Sequence, residues 1–476
     1  MNVLAIDQGT SSTKALVVGD DGTVLGSGSA AVHPRSAAGG AVEQDPRELL
    51  ESIVAAGREA LAAAATTVEA VGIANQGETV LRWDLDSGRT FGPALSWQDR
   101  RAVTVTSELS DDAERLTALT GLPLDPYFAA PKMTWLRREG GAEGVVTTVD
   151  AWLNRSLTGA FVTDAATASR TLLLDLEHAT WSAEACALFG LDQDALPQIV
   201  DCDAAVGATT AFGDPLPVTG LIVDQQAALF AEACFAAGEA KCTYGTGAFI
   251  LANAGQRVVR SRTGLAACVA WRLGGETTYC LDGQAYSAGS AVSWLQELEL
   301  LDSASDLDRA GGGDEEVMFV PALAGLGAPL WEPAARGAWF GLSLASRRQD
   351  LVRAVAWGVA AQIASLAHAI GDDAGRPLER LRVDGGLTRS ATMMQAQADL
   401  LQAPVELYPS PDATALGAGA LARLGASRAS SPAEAVGQWS PAAVFEPRMS
   451  AAEAEQHLAR WQAAALAVAG LARERG

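Results

Sequence analysis

Asp7, Thr10, Ser11, Ser12 and Lys14 fall within one short stretch, IDQGTSSTKALVV (Ile6 to Val18), and Thr246 falls within a second, TYGTGAFILANAG (Thr243 to Gly255). Both stretches are predicted as strand, tight turn, strand, with Gly9, Gly245 and Gly247 taking backbone angles closed to other residues. Main-chain N–H groups and the hydroxyls of Thr10, Ser11, Ser12 and Thr246 would then converge on a phosphate chain from two sides. Asp7 offers a carboxylate to a Mg²⁺ shell, and Lys14 a cation to phosphate oxygens. Either hairpin alone is equally well read as an ordinary glycine turn. Their repetition, with the flanking Asp and Lys, points to a nucleotide held between two related domains.

Two further segments place chemistry beside that cleft. In GLIVDQQAALF an apolar strand delivers Asp224 to the entrance of a helix. The carboxylate there can take a proton from a hydroxyl attacking a γ-phosphorus, and the same position also suits a helix N-cap. In RVDGGLTRS a hydrophobic strand ends at Gly385 and Gly386 before a helix. The flat backbone suits a close-lying adenine, or a plain strand-to-helix turn.

The elements that must position these residues follow from periodicity. Strands are expected at Val3 to Ile6, Ala15 to Val18 and Thr23 to Gly28. A helix is expected from Pro46 to Ala64, where Leu49, Leu50, Ile53 and Val54 keep one stripe, followed by a strand at Ala70 to Ala74. Segments 113–121 and 130–138 read as helices, and 147–159 as a strand end plus helix. The second half repeats the scheme, with helices near 288–301, 350–370 and 392–401 and a strand at 381–383. A closing helix, 451–472, puts Leu458, Trp461, Ala465, Val468 and Ala472 on one face. Strand–helix alternation argues an α/β layer architecture. Two domains are expected, 1–235 and 236–476, the boundary falling after AALFAEACFAAGEA.

Composition excludes several classes. The 476 residues suffice for two or three full cores, and 34 basic against 57 acidic residues, net −23, argue against nucleic acid and anionic membranes. Six cysteines without a CxxC pair and four scattered histidines support neither a zinc site nor a disulfide framework, and reduced buried thiols are expected. No signal peptide and no run of 18 uncharged apolar residues is read, so a cytoplasmic protein is expected. None of the lysines (Lys14, Lys132, Lys241) follows a glycine, so no Walker P-loop is present. The glycine repeats at Gly26 and Gly417 match dinucleotide loops only weakly, the first starting at a strand end without the usual helix and the second lying in a helix-like run, where Gly417 and Gly419 read as close helix packing.

Taken in order, AIDQGTSSTK, VEQDP, IANQGET, SWQDRR, YFAAPKMTWL, TVDAWL, TDAATASRT, DQQAALF, TYGTGAF, VPALAGLGAPLW, ARGAWFGL, VDGG and DATALGAG resemble the FGGY carbohydrate kinases, and within them the glycerol kinases most closely. The resemblance covers nearly the whole chain. It implies two ribonuclease-H-like domains of the actin, hexokinase and heat-shock chaperone type with a central cleft. It further implies ATP and Mg²⁺ as cosubstrate and cofactor, and a homodimer or homotetramer.

Position by position, the resemblance makes Asp224 the catalytic base and a Mg²⁺ contact, with Asp7 ordering the ion through water. Gly77, Glu78, Trp97, Tyr127, Gln225 and Phe249 fall on polyol-site positions. Thr10, Ser11, Ser12, Lys14, Thr246, Gly289, Ser293, Gly386 and Ser390 fall on nucleotide positions. Glycerol kinases carry an arginine where this chain has Gly77, so a hydroxyl donor is missing and a longer polyol or a sugar gains space. Ser293 and Ser390 stand where glutamine and asparagine are common. The segment GATTAFGDP (Gly207 to Pro215) lacks the basic loop that binds fructose 1,6-bisphosphate in bacterial glycerol kinases, so no inhibition by that compound is expected in a turnover assay. The expected reaction is phosphorylation of a primary hydroxyl of glycerol or a related polyol. A ketopentose kinase is the alternative, and a non-catalytic actin-like or chaperone-like switch the distant one.

Overall fold

The computed structural model describes residues 1–309 and 316–474. In the first half, β1 (Val3–Gln8), β2 (Ser12–Val18) and β3 (Val24–Ala31) form an antiparallel meander. All four residues of Val3 to Ile6 are buried, the pattern of a strand covered on both faces. Helix α1 (Pro46–Ala64) follows because Asp45 caps it through Arg47 N and Pro46 takes its first turn. Its Leu49, Ile53, Ala56 and Ala60 are fully buried against the meander. Gly26 and Gly28 serve that contact: a Cβ at either would lie 2.4 Å from Ala64 N or 2.3 Å from Ala56 O.

From α1 the chain returns as β4 (Ala70–Asn75), parallel to β1, and continues through β5 (Val80–Trp83), α2 (Ala129–Gly140) and the short α3 (Ala165–Ala168). β6 (Gly207–Thr209) and β7 (Leu216–Val223) complete a sheet of order β6-β7-β4-β1-β2-β3, and α4 (Asp224–Ala231) leaves its edge.

The second half builds another sheet on the same central order. β8 (Ala240–Tyr244), β9 (Ala248–Gly255), β10 (Ala266–Leu273) and β11 (Glu276–Ala285) are antiparallel. After α5 (Gly289–Glu297) and α6 (Arg348–Ala374), β12 (Leu381–Asp384) returns parallel to β8. Then come α7 (Ala391–Leu401), β13 (Val405–Leu407), α8 (Ala413–Gly425), β14 (Ala443–Phe445) and α9 (Ala451–Arg473). The sheet order is β10-β11-β9-β8-β12-β13-β14. The shared order is β3-β2-β1-β4-β7 in one half and β11-β9-β8-β12-β13 in the other. This is the two-domain α/β architecture expected from the sequence.

Two features depart from the sequence reading. The division proposed at residue 235 separates the strands of the two sheets, yet α8 crosses back and packs on β1, β4 and β7 of the first. Glycines make that crossing close: a Cβ at Gly72 would lie 2.0 Å from Ala418 O, and one at Gly417 2.0 Å from Ala227 O. Second, α6 is long and apolar enough by length and composition to cross a membrane, a feature not singled out in the sequence because Gln362, Ser365 and His368 interrupt its apolar run. It is instead the core helix of the second domain, with Val355, Ile363 and Ile370 fully buried. α9 lays Leu458, Trp461, Ala465, Val468 and Ala472 against that domain, after a Ser450–Glu453 capping box.

Candidate active site

The first hairpin turn, between β1 and β2, is closed by Gly9 N donating to Ser12 O at 3.1 Å. Its glycines correct an expectation. Gly9, Gly245 and Gly247 do not take positive φ angles; the left-handed glycine of the site is Gly385, φ 97°. Crowding sets glycine at two of them instead, since a Cβ at Gly247 would lie 2.7 Å from Ala285 O, and one at Gly9 3.0 Å from Ser12 O. At Gly385 both causes act, because a Cβ would meet Tyr244 backbone at 2.5 Å.

Around the second hairpin lies a cavity of about 790 Å³ lined in part by Thr246, Gly289, Ser293, Trp294, Gly386 and Leu387. Gly289 N donates to Gly245 O and Ser290 N to Thr246 O, so the first turn of α5 is fastened to the hairpin. Beyond the residues that line it, Ser390 donates its hydroxyl to Asp308 Oδ1 at 2.7 Å and accepts from Met393 N, capping α7.

Across the cleft an aromatic cage forms. Trp97 lies edge-on to Tyr127 and Phe249, with centroids 5.8 and 6.0 Å apart, and its Nε1 donates to Thr10 Oγ1 at 2.8 Å. The cage and the first hairpin are therefore one unit. Lys132 fixes the Tyr127 loop: fully buried, it donates to the carbonyls of Pro126, Tyr127 and Phe128. Burial pushes its pKa down to about 7.

Glu78, also buried, sits at a tight turn between β4 and β5, where Thr79 N donates to Gly77 O at 2.7 Å and Glu78 takes φ 55°. Its carboxylate accepts from Arg170 Nε at 2.6 Å, and Arg170 Nη1 pairs with Asp282 Oδ2 of the second sheet at 2.6 Å. Burial raises the Glu78 and Asp282 pKa values while the guanidinium opposes it.

Asp224 opens α4 without capping it. The cap position is Val223, and Asp224 Oδ1 accepts only from Gln225 N at 2.7 Å. Burial and then the Glu78 charge raise its pKa to about 6. Asp7 is raised to about 7 by burial and then by Asp224, with Lys14 opposing. Lys14 itself pairs with Asp412 at 3.0 Å, at the start of α8. Gln225 accepts from Lys241 Nζ at 2.6 Å, and Lys241 also reaches Thr243.

Among the described residues no three His, Cys, Asp or Glu converge into a metal-binding cluster. Asp7, whose proton affinity the Asp224 charge raises, and Asp224 still suit a hard cation that keeps most of its waters. All six cysteines are buried and unpaired.

The sequence reading did not single out Arg170, Asp282 or Lys241. Arg170 was visible as an arginine inside the alanine-rich TDAATASRT. Asp282 and Gln284 were visible as polar residues at alternate positions of an apolar strand. Their partners are remote in sequence, so spacing could not pair them.

Models of the FGGY family of carbohydrate kinases match this chain, the N-terminal domain over residues 2–231 and the C-terminal domain over 240–426. A glycerol kinase of Thermus brockianus is 41% identical over 482 residues, covering 97% of each chain. The crystal structure of Plasmodium falciparum glycerol kinase with ADP superposes with a TM-score of 0.88 at 31% identity, covering 98% of both chains. A xyloylose kinase from Brucella ovis superposes at 0.89 with 27% identity, covering 99% of this chain and 100% of that one.

Proposed function

This chain belongs to the FGGY family of carbohydrate kinases and is an ATP-dependent kinase acting on a sugar alcohol or sugar, and from that premise we propose phosphorylation of a primary hydroxyl of glycerol or a closely related polyol. The polyol carbons lie against Trp97, Tyr127 and Phe249, and Glu78 accepts from its hydroxyls while Gln225 contacts the reacting end. Asp224 takes the hydroxyl proton as that oxygen attacks in line, a role its otherwise unengaged carboxylate and its pKa of about 6 suit at neutral pH.

Adenosine occupies the cavity of Gly289, Ser293 and Gly386. Thr10, Ser11, Ser12 and Thr246 hold phosphate from two sides, and Lys14 reaches the γ-phosphate by leaving Asp412. Asp7, through water, and Asp224 would hold Mg²⁺, which when bound neutralises phosphate charge during transfer. Closure of the two domains on the cleft excludes water from the phosphate.

The observation that carries this reading is the single unit formed by the cage and the phosphate hairpin, joined through Trp97 Nε1 and Thr10 Oγ1 at 2.8 Å. Asp224→Asn tests it: turnover should fall by roughly 10²- to 10⁴-fold with the circular dichroism spectrum unchanged. Turnover near that of the native enzyme would refute the base assignment. Phosphorylation of a ketopentose is the second reading, favoured by the absence of a side chain at Gly77, where a Cβ would lie 3.0 Å from Val223 Cγ2. Assembly as a homodimer or homotetramer is part of the proposal, and sedimentation should return two or four times 49.1 kDa.

A further inference from the structure

Strand β11 presents a polar wall to the cleft that the mechanism above leaves unused. Residues 282 and 284 of the strand, with 286 just past its end, alternate toward the first domain. Asp282 meets Arg170 there, Gln284 stands in register with Phe249 across the strand pair, and the Tyr286 ring lies 5.8 Å from Tyr127. Gln284 Nε2 donates to Asp282 Oδ2, which turns the amide oxygen away from the carboxylate. Gln284 Oε1 and Asp282 Oδ1 are both left as buried acceptors with no donor, in side chains that are 0% and 2% exposed. A buried acceptor without a donor is costly, so two on one face of one strand, beside the cage, call for hydroxyls from a ligand.

Resting on the polyol-kinase reading, we propose that Asp282 and Gln284 are specificity-determining residues that accept hydrogen bonds from the distal hydroxyls of a linear polyol longer than glycerol. Its first carbon faces Asp224 and its middle hydroxyls face Glu78. Two acceptors require two donors. A ketose carbonyl at that end would set acceptor against acceptor and be rejected.

The test compares kcat/KM for glycerol, erythritol, threitol, ribitol, arabinitol and xylitol, by ADP release, in the native enzyme and in Gln284→Leu. One of the longer polyols should exceed glycerol by about tenfold or more. Gln284→Leu should lower that substrate roughly 10- to 100-fold while glycerol changes by less than about threefold, the pattern of a lost hydroxyl contact. Gln284→Asn, which withdraws the oxygen by one methylene and keeps the amide, should give the same selective loss if the leucine variant does not fold. Glycerol preferred over every longer polyol, or an equal loss for short and long substrates, would overturn the proposal. Turnover with a ketopentose alone would overturn it and leave the kinase assignment standing. ATP hydrolysis that ignores every acceptor would overturn the polyol-kinase reading along with it.

Discussion

Glu78 holds a left-handed backbone, φ 55°, and a buried charge at the same time. A non-glycine residue in that region costs on the order of 1–3 kcal/mol, and the chain retains it because the turn aims the carboxylate at Arg170 and the cage. Removing only the charge leaves the turn and an acceptor in place. Glu78→Gln is expected to lower polyol kcat/KM by roughly 10- to 100-fold, the loss of a hydrogen bond to a charged group, with the KM for ATP unchanged. An equal effect on both substrates would argue against a polyol contact. Asp224 supplies a second prediction. As a base it must be ionised, and with its pKa raised to about 6 the kcat/KM profile should climb with pH through about 6 and level above it. A flat profile between pH 5 and 8 would contradict the role. Residues such as Asp224, Glu78 and Trp97 were readable because each stands in a contiguous motif. Arg170 was not, because Glu78 and Asp282, the groups that give it meaning, lie on other elements and, for Asp282, in the other domain.

At the scale of elements, α1, the first meander and α9 were readable from apolar periodicity and caps, and α1 runs Pro46–Ala64 as expected. The docking of α8 on the first sheet was not readable, since its sequence ATALGAGALARLG is built of small residues that carry almost no directional signal. The contact is set by absent side chains. Gly72→Ala would drive a methyl to 2.0 Å from Ala418 O, so the thermal midpoint should drop by several degrees, in line with overpacking costs of about 1–3 kcal/mol. Gly470→Ala, in α9 with nothing within 4 Å of the new Cβ, should leave the midpoint unchanged or raise it slightly. Equal shifts from the two substitutions, read by differential scanning fluorimetry, would show that the seam is not tight.

Across the whole molecule, polar contacts that join the two domains at the cleft include Arg170 to Asp282, Lys241 to Gln225 and Lys14 to Asp412. Several buried carboxylates around this framework have raised pKa values: Asp7 and Asp164 at about 7 and Asp224 at about 6. A raised folded-state pKa favours the folded protein below the unfolded value near 4, and that contribution is lost as pH rises through 6 to 7. Thermal stability should therefore fall from pH 5 to pH 8. Asp164→Asn, which keeps an oxygen for the Ala166 and Thr167 N–H groups, should flatten the slope. Stability rising over that range would contradict the assignment.

Transfer of a phosphoryl group from ATP to a polyol is the proposed reaction. The most direct measurement follows ADP release from Mg²⁺-ATP with and without glycerol and the longer polyols, with ³¹P NMR of the product. ADP should appear only with a polyol, matched one for one by a phosphomonoester on a terminal carbon. ADP released at the same rate without any polyol, with inorganic phosphate as the product, would contradict it.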